Sequence, residues 1–307
     1  MLNPNIIYKE VEIMDNDNMP KLRLGKWNKL EVVKEVDFGM YLGAGELGEI
    51  LLPKRYVPED CKIGDVIDVF LYLDSEERLV ATTETPLVEV NQFAYLEVKW
   101  VNEYGAFLDW GLMKDLFCPF REQRRKMQVG RSYIVYVYID SQTYRIVASA
   151  KVDKFISDDY PPYKPGEIVD VLVQQKTDLG FKAIVENKYG GLIYQNELFR
   201  DIHTGDRLKA YVKNVREDGK IDLVLQAHGR KHVADFSEEL FNYLKCTEEG
   251  FAPYHDKSPA EDIYAEFKVS KKTFKKAVGD LYKKHYIKIL DDGIELTPEG
   301  RFAGLED

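Results

Sequence analysis

A unit of about 60 residues occurs three times in succession along the chain, and each copy contains five strand-like runs. The copies cover residues 28–86, 94–155 and 166–226. Their runs are rich in Val, Ile, Tyr and Phe and are bounded by Gly, Asp or Pro, which is typical of β-strands. Shorter repeats of about 20–50 residues form solenoids, whereas units of this length can each bury a core. The repeat therefore predicts three small closed β-barrels of the OB type, with five strands each.

After the third copy, the spacing of apolar residues changes from that of a strand to that of a helix. Residues 236–244 have helical spacing, and Ser258 and Ser270 are typical N-caps of two further helices. Two short strand-like runs then flank a turn at Asp292 and Gly293. Three helices followed by a hairpin is the order of a winged-helix domain.

These patterns predict a multidomain fold that is mainly β and ends in an α+β domain. Residues 1–27 form an N-terminal extension that we leave unassigned. We place the three barrels at residues 28–90, 93–156 and 164–227, and the winged-helix domain at residues 232–307.

The composition indicates a globular protein of the cytoplasm. Hydrophobic residues make up 45% of the chain and charged residues 31%. We find no run of about 18 apolar residues that could span a membrane, and the N-terminus lacks the basic start and apolar core of a secretory signal. The net charge of −10 argues against a protein that coats nucleic acid through bulk charge, but local basic patches can still bind it.

No pattern typical of a catalytic or metal site is present in the sequence. Cys61, Cys118 and Cys246 lie far apart, so we expect reduced thiols and neither a disulfide framework nor a zinc site. Glycine-rich phosphate loops, nucleophile elbows and paired metal ligands are also missing. We therefore expect a protein that is not an enzyme and needs no cofactor.

Two of the copies have a pair of aromatic residues, three positions apart, where the second strand begins. Phe38 and Tyr41 form one pair, and Tyr104 and Phe107 form the other, each with a glycine after its first ring. Side chains alternate between faces along a strand, so residues three apart should point in opposite directions. Because glycine tolerates a β-bulge, we expect a bulge there to turn both rings to one face, where bases could stack on them.

The third copy lacks this aromatic pair. Leu179 and Lys182 occupy the corresponding positions. Phe181 and Tyr194 could compensate, although we expect Phe181 to pack inward. Lys182 and Tyr194 are therefore the candidate contacts of the third barrel with nucleic acid.

The three copies differ in charge. Residues 28–86 carry six basic and 13 acidic residues, residues 94–155 carry ten and seven, and residues 166–226 carry nine and ten. An acidic barrel repels phosphates, so the second barrel is the best candidate for binding nucleic acid. A basic cluster follows its third strand and comprises Arg121, Arg124, Arg125 and Lys126. The alternative is that this cluster is an ordinary solvated turn.

A second basic patch lies in the winged-helix region, where residues 268–288 contain eight lysines and one acidic residue, Asp280. The candidate phosphate contacts in this patch are Lys268, Lys271, Lys272, Lys275 and Lys276. The opposite side of the helix is expected to consist of Phe274, Val278, Leu281 and Tyr282. This arrangement is typical of a recognition helix, and lysine favours phosphate contact over base reading. A lysine-rich solvent face is the alternative.

The aromatic-Gly-x-aromatic segments "FGMY" and "YGAF" resemble the second strand of S1-type RNA-binding domains. The third strand of such domains often ends in a histidine, and Leu52, Cys118 and Tyr194 stand at that position here. The stretch "GEILLPKRYVP", followed by further barrels and a lysine-rich winged helix, resembles the bacterial conserved virulence factor B family. This resemblance implies three S1 domains and a winged helix, RNA binding without enzymatic activity, and a role in post-transcriptional regulation.

Three functional hypotheses follow from these observations. The first is a protein that holds single-stranded RNA by base stacking and phosphate contacts. The second is a DNA-binding transcriptional regulator that uses the winged helix on duplex nucleic acid. The third is an interaction scaffold on the ribosome or polymerase, which the acidic first barrel would favour. A nuclease is the least expected class, and the sequence leaves the oligomeric state open.

Overall fold

The computed structural model describes residues 22–45, 48–195, 198, 201–225, 230–247, 249–267 and 269–303, with the backbone alone for residues 230–235. The chain divides into two compact units, of which the first ends at Ile156 and the second begins at Ser157. The first unit contains two closed barrels, and the second contains a third barrel and a helical domain. The predicted fold class is confirmed.

The first barrel has five strands, which lie within or close to the predicted runs. They are β1 (Trp27–Val36), β2 (Gly39–Gly43), β3 (Glu49–Pro53), β4 (Val66–Leu73) and β5 (Leu79–Thr82). The strands close in the order β1-β2-β3-β5-β4, with β3 and β5 parallel. Leu42 and Leu52 are buried in the barrel, as the alternation of their strands predicts. Leu22, from the unassigned extension, also packs into this core.

The second barrel repeats this architecture. Its strands are β6 (Gln92–Val101), β7 (Gly105–Leu108), β8 (Leu116–Pro119), β9 (Ser132–Ile139) and β10 (Ile146–Ser149). They close in the equivalent order, with β8 and β10 parallel. Ala106, Leu108 and Cys118 are fully buried in its core. A short 3-10 turn, Phe120–Glu122, follows β8.

The first two barrels share a continuous apolar core. The ring of Phe70 lies 6.0 Å from Trp27 of its own barrel and 5.7 Å from Trp110 of the second barrel, measured between centroids. Val88 and Val90, from the segment that joins the two barrels, are buried in the same cluster. This explains why the two barrels form one compact unit.

The three cysteines are expected to react with iodoacetamide at very different rates. Cys118 is fully buried, and this burial raises the pKa of its thiol to about 12, whereas Cys246 is exposed. Because the thiolate is the reactive form, we expect modification of Cys246 and protection of Cys118 in the native protein. Cys61 is half-buried with a raised pKa and should react at an intermediate rate. Peptide mass spectrometry after a timed reaction measures all three, with the protein in denaturant as control. Equal rates for Cys118 and Cys246 would contradict the predicted barrel core.

The third barrel, in the second unit, has the same strand order. Its strands are β11 (Ile168–Thr177), β12 (Gly180–Val185), β13 (Tyr189–Tyr194), β14 (Arg207–Val215) and β15 (Ile221–Val224). Val173, Ile193 and Leu223 are fully buried at its centre. Phe181 is also buried, which confirms the expectation that this ring packs inward.

In the described residues of the helical domain there are four helices and a small sheet with the order β16-β18-β17. Its elements are α1 (Arg230–Cys246), β16 (Phe251–Ala252), α2 (Ala260–Phe267), α3 (Lys271–Lys283), β17 (Ile287–Ile289), β18 (Ile294–Leu296) and α4 (Pro298–Phe302). Ser270 is the N-cap of α3, since its hydroxyl accepts a hydrogen bond from the amide of Thr273 (3.1 Å). Ser258, the other expected cap, accepts a hydrogen bond from the amide of His255.

Two kinds of feature are missing from the part of the chain that the structure describes. No helix there is both long and apolar enough to cross a membrane. No group of three or more His, Cys, Asp and Glu residues there is placed to hold a metal ion.

Candidate nucleic-acid interface

An aromatic row crosses the first three strands of the second barrel on its outer surface. Trp100 on β6 is paired with Phe107 on β7, and Phe107 is paired with Phe117 on β8. The register of β6 shifts between Val98 and Trp100, which is the mark of a β-bulge. Because Val98 points into the core, Trp100 would also point inward in a regular strand. The bulge re-phases β6 and leaves Trp100 44% exposed.

The rings of this row are in contact. The centroids of Trp100 and Phe107 are 3.6 Å apart, and their planes differ by 3°. Phe117 continues the row at 4.9 Å from Phe107, tilted by 37°. The indole Nε1 of Trp100 donates a hydrogen bond to Asp115 Oδ2 (2.8 Å), which fixes the ring's orientation. The row is therefore a continuous apolar surface, held together by ring contacts and by one hydrogen bond at its exposed Trp100 end.

Tyr104 lies beside the row but in a turn that precedes β7. The Asn102 side-chain oxygen accepts hydrogen bonds from the amides of Tyr104 (2.9 Å) and Gly105 (3.1 Å) and thereby stabilises this turn. Strand alternation does not apply there, and Tyr104 is 67% exposed. Tyr104 and Phe107 line the same cleft, so the expectation that both rings reach one surface is met.

The expected cause, a bulge at Gly105, is wrong. The bulge lies in the neighbouring strand β6, and Gly105 itself is paired regularly with Pro119. A Cβ atom at residue 105 would lie 2.4 Å from the carbonyl oxygen of Cys118. Glycine is therefore needed because the third strand passes too close for any side chain.

The cleft beside the aromatic row has a volume of about 610 Å³ and receives one wall from the first barrel. Glu77, from the β4–β5 turn, places its carboxylate 3.0 Å from Arg145 Nε and 3.6 Å from Lys114 Nζ. Lys114 also donates to the carbonyl of Asp74 (2.7 Å), and its burial lowers its pKa. Asp115, which binds Trp100, also lines the cleft, so the lining contains two cations and two carboxylates. This nearly neutral, aromatic cleft is suited to a base rather than to a phosphate.

The predicted basic cluster lies next to this cleft and does not line it. Arg121 forms an ion pair with Asp140 (2.6 Å), and Arg124 forms one with Asp153. Lys126 lies 5.7 Å from the centre of the Phe120 ring, and Arg125 is exposed. The Phe120 amide donates to the carbonyl of Tyr104 (3.1 Å), which joins the turn of the cluster to the edge of the cleft. The cluster could therefore contact phosphates flanking a bound base.

The first barrel carries only part of this arrangement. Phe38 is 57% exposed, and its ring lies 6.3 Å from that of Tyr41 in an edge-to-face geometry. Lys34 follows the bulge in β1, at the position of Trp100, and its amine lies 5.5 Å from the Tyr41 centroid. Leu51 replaces Phe117. The stacked row of the second barrel thus has no equivalent in the first.

The third barrel has no aromatic residue in the equivalent row, where Gln175, Lys182 and Leu192 are neighbours. Tyr194 is paired with Gly180, so it corresponds to Pro53 and Pro119 of the other barrels and not to Leu52 and Cys118. The three positions that were assumed to be equivalent are therefore offset by one residue between the third barrel and the other two. The Tyr194 hydroxyl accepts a hydrogen bond from Arg216 (2.6 Å), which also binds Asp222.

The lysines of α3 form an exposed face in the second unit. Lys272, Lys276 and Lys283 are exposed and have no ion-pair partner among the residues that the structure describes. Lys275 lies 4.0 Å from Asp256, and the amine of Lys271 donates to the carbonyl of Lys257 (3.2 Å). Lys268, the remaining candidate, lies outside the described residues.

The apolar side of α3 differs from the prediction at one residue. Phe274, Val278 and Leu281 are buried as expected, but Tyr282 is 54% exposed. Ala277 fills the fourth buried position. Tyr282 therefore belongs to the lysine face, because the buried stripe is centred on Phe274, Ala277 and Leu281.

Gly279 lies among the exposed lysines of α3 and is itself half-buried, and a Cβ atom there would meet no atom within 4 Å beyond its chain neighbours and the backbone of its own helix. A glycine inside a helix costs about 1 kcal/mol of stability relative to alanine. No contact within the described residues requires a glycine here.

Sequence reasoning missed several residues of the cleft. Trp100 was missed because strand alternation without the bulge places it inside the barrel, and the equivalent residues of the other copies, Lys34 and Gln175, are not aromatic. Glu77 and Arg145 lie in turns of different barrels, and nothing in the sequence indicates that they meet. On α3, sequence reasoning also missed Lys283 as a member of the exposed lysine face. Its helical spacing from Lys272 and Lys276 is sufficient to place it there.

Comparison with known proteins gives matches along most of the chain. A family model described as S1 domain matches residues 24–84, and one described as CvfB-like winged helix domain matches residues 238–296. Protein YitL of Bacillus subtilis is 27% identical over 292 residues, which cover 91% of this chain and 95% of YitL. Conserved virulence factor B of Staphylococcus haemolyticus is 24% identical, with 92% of this chain and 97% of that protein covered.

A solved structure is also similar in sequence. It is a multidomain protein with nucleic acid binding domains from Streptococcus pneumoniae, 24% identical, with a TM-score of 0.40 over 89% of this chain and 98% of that one. The sequence matches confirm the resemblance: the chain is similar over most of its length to proteins named conserved virulence factor B, and it contains matches to an S1 domain and to a CvfB-like winged helix domain.

Proposed function

We propose that the protein is a non-enzymatic, cytoplasmic RNA-binding protein that holds single-stranded RNA through the second barrel and the lysine face of α3. The observation that carries the proposal is the row of Trp100, Phe107 and Phe117, which is pre-formed and borders an open cleft. Single-stranded bases stack on such aromatic surfaces with little dependence on sequence. Duplex bases are already stacked on each other and cannot enter the cleft in this way.

The distribution of charge supports separate roles for the two surfaces. The charges of the cleft compensate one another, which suits base stacking. Lys272, Lys276 and Lys283 of α3, which have no ion-pair partner among the described residues, suit phosphates because a lysine amine acts as a point charge. The S1 and winged-helix matches support nucleic-acid binding in general. The S1 match covers the first barrel, and the second barrel has the same strand order.

The regulatory part of the proposal is that the bound RNA is messenger RNA whose use the protein controls after transcription. This part follows from the resemblance to the conserved virulence factor B family, which implies a role in post-transcriptional regulation. Ultraviolet crosslinking in cells, followed by sequencing of the attached RNA, tests this part. Crosslinks on messenger RNA that disappear when Trp100 and Phe107 are replaced are the expected result.

Binding to single-stranded RNA is expected to weaken steeply with salt. If about four lysines contact phosphates, affinity should fall roughly 50-fold between about 50 mM and 200 mM salt. Fluorescence anisotropy with a labelled RNA of about 20 nucleotides, longer than the roughly 4–16 nucleotides of one barrel site, measures this change. A salt-independent affinity would contradict the phosphate contacts.

Competition with duplex DNA separates the proposal from a transcriptional regulator. The exposed lysine face on α3, the recognition helix of the predicted winged-helix domain, is the observation that favours this second function. Unlabelled single-stranded RNA should displace the labelled RNA at much lower concentration than duplex DNA of the same sequence. Preference for the duplex would favour the transcriptional regulator over the RNA-binding protein. If neither nucleic acid binds, the interaction scaffold is the hypothesis that remains.

A further inference from the structure

Gly279 lies at the centre of the exposed face of α3. Residues three and four positions apart are neighbours on a helix surface. The neighbours of Gly279 are therefore Lys275, Lys276, Tyr282 and Lys283, all of them exposed. Together with Lys272, seven residues earlier, they form a ring of four amines and one phenol around a position without a side chain.

The protein's own packing does not require this glycine. The buried stripe of α3 lies on the opposite side of the helix, at Phe274, Ala277 and Leu281. A Cβ atom at residue 279 would point into open space, and the residue is not among those with positive φ. Alanine would fit there and would stabilise the helix. The described fold therefore gives no packing reason for a glycine at this position.

We infer that Gly279 is the point at which the sugar–phosphate backbone of a bound RNA strand lies directly against α3. This inference rests on the proposed function and adds a specific contact to it. A glycine lets a ligand approach the helix backbone more closely than any other residue does. A phosphate seated there lies within reach of several of the surrounding lysines, whose amines provide the compensating charge.

The composition of this face favours nucleic acid over a protein partner. Protein interfaces are depleted in lysine and enriched in arginine and large apolar residues. The ring around Gly279 contains four lysines, no arginine and a single aromatic residue, Tyr282. Phosphate contacts, in contrast, are made largely by basic and hydroxyl-bearing side chains.

Substitutions at residue 279 in the full-length chain test the inference, because they separate stability from binding. Gly279→Ala and Gly279→Leu introduce residues of similar helix propensity but different size. Both variants should melt at the wild-type temperature or higher. Their affinity for the labelled single-stranded RNA should fall about tenfold for alanine and further for leucine, since the side chain separates helix and phosphate.

A triple variant, Lys272→Ala/Lys276→Ala/Lys283→Ala, shows whether a failure concerns the inference or the proposed function. If the triple variant loses affinity while both residue-279 variants bind like wild type, the inference is overturned and the lysine face stands. If all three variants bind like wild type, α3 is not an RNA surface, and the inference falls with that part of the proposal. A loss at residue 279 that is confined to duplex DNA would also overturn it.

Discussion

Replacing Trp100 and Phe107 together by alanine is expected to weaken the binding of single-stranded RNA by about 30-fold or more. Each base stacked on an aromatic side chain contributes about 1–3 kcal/mol, and about 1.4 kcal/mol corresponds to a factor of ten in affinity. The double variant removes two adjoining rings of the row, so at least about 2 kcal/mol should be lost. Fluorescence anisotropy at one fixed salt concentration measures the change.

The first barrel provides the matched control for this variant. Phe38→Ala/Tyr41→Ala also removes two rings from the outer surface of a barrel, but these rings meet edge to face and belong to an acidic copy. We expect a loss of less than about threefold, since no base stack is removed. Trp100→Phe keeps an aromatic ring and should retain much of the affinity. Circular dichroism must show native folding of all variants. An equal loss in both barrels would contradict the assignment of the site to the second.

The barrel fold could be predicted because its signals are local and occur three times. Each strand has period-two alternation and a boundary of Gly, Asp or Pro, and the copies confirm one another. The helical domain was less fully predicted. β16 has only two residues, Phe251 and Ala252, too few for any period. The last helix did have a signal, because Thr297 caps it and Pro298 begins it.

The candidate site was only half predictable for a physical reason. Tyr104 and Phe107 are close in sequence, and their spacing around Gly105 is enough to identify them as a candidate base-stacking pair. Trp100 and Phe117 join them through strand pairing, which depends on the register and on a bulge that no single residue type requires. The ion pairs of Glu77 depend on how two barrels pack, and local sequence does not specify this.

Gly105→Ala is expected to destabilise the second barrel by about 1–3 kcal/mol or more, because it overpacks the contact between β7 and β8. The new Cβ would lie 2.4 Å from the Cys118 carbonyl oxygen and 2.8 Å from the Phe117 ring, and the backbone of β8 cannot move away without breaking its pairing. The same clash exists in the third barrel, where a Cβ at Gly180 would lie 2.1 Å from the Ile193 carbonyl oxygen. Urea unfolding followed by tryptophan fluorescence measures the loss of stability.

Gly279→Ala is the control for this prediction, since the same substitution should there leave stability unchanged or raise it. A loss of stability for Gly105→Ala together with a gain for Gly279→Ala would show that the two glycines have different roles. At residue 105 the barrel's own backbone leaves no room, whereas at residue 279 the space is open until a ligand enters it. A Gly105→Ala variant as stable as wild type would mean that the backbone of β8 can move away from residue 105 at Cys118 without loss of stability. The close approach of the two strands would then no longer explain why an aromatic-Gly-x-aromatic segment needs its glycine.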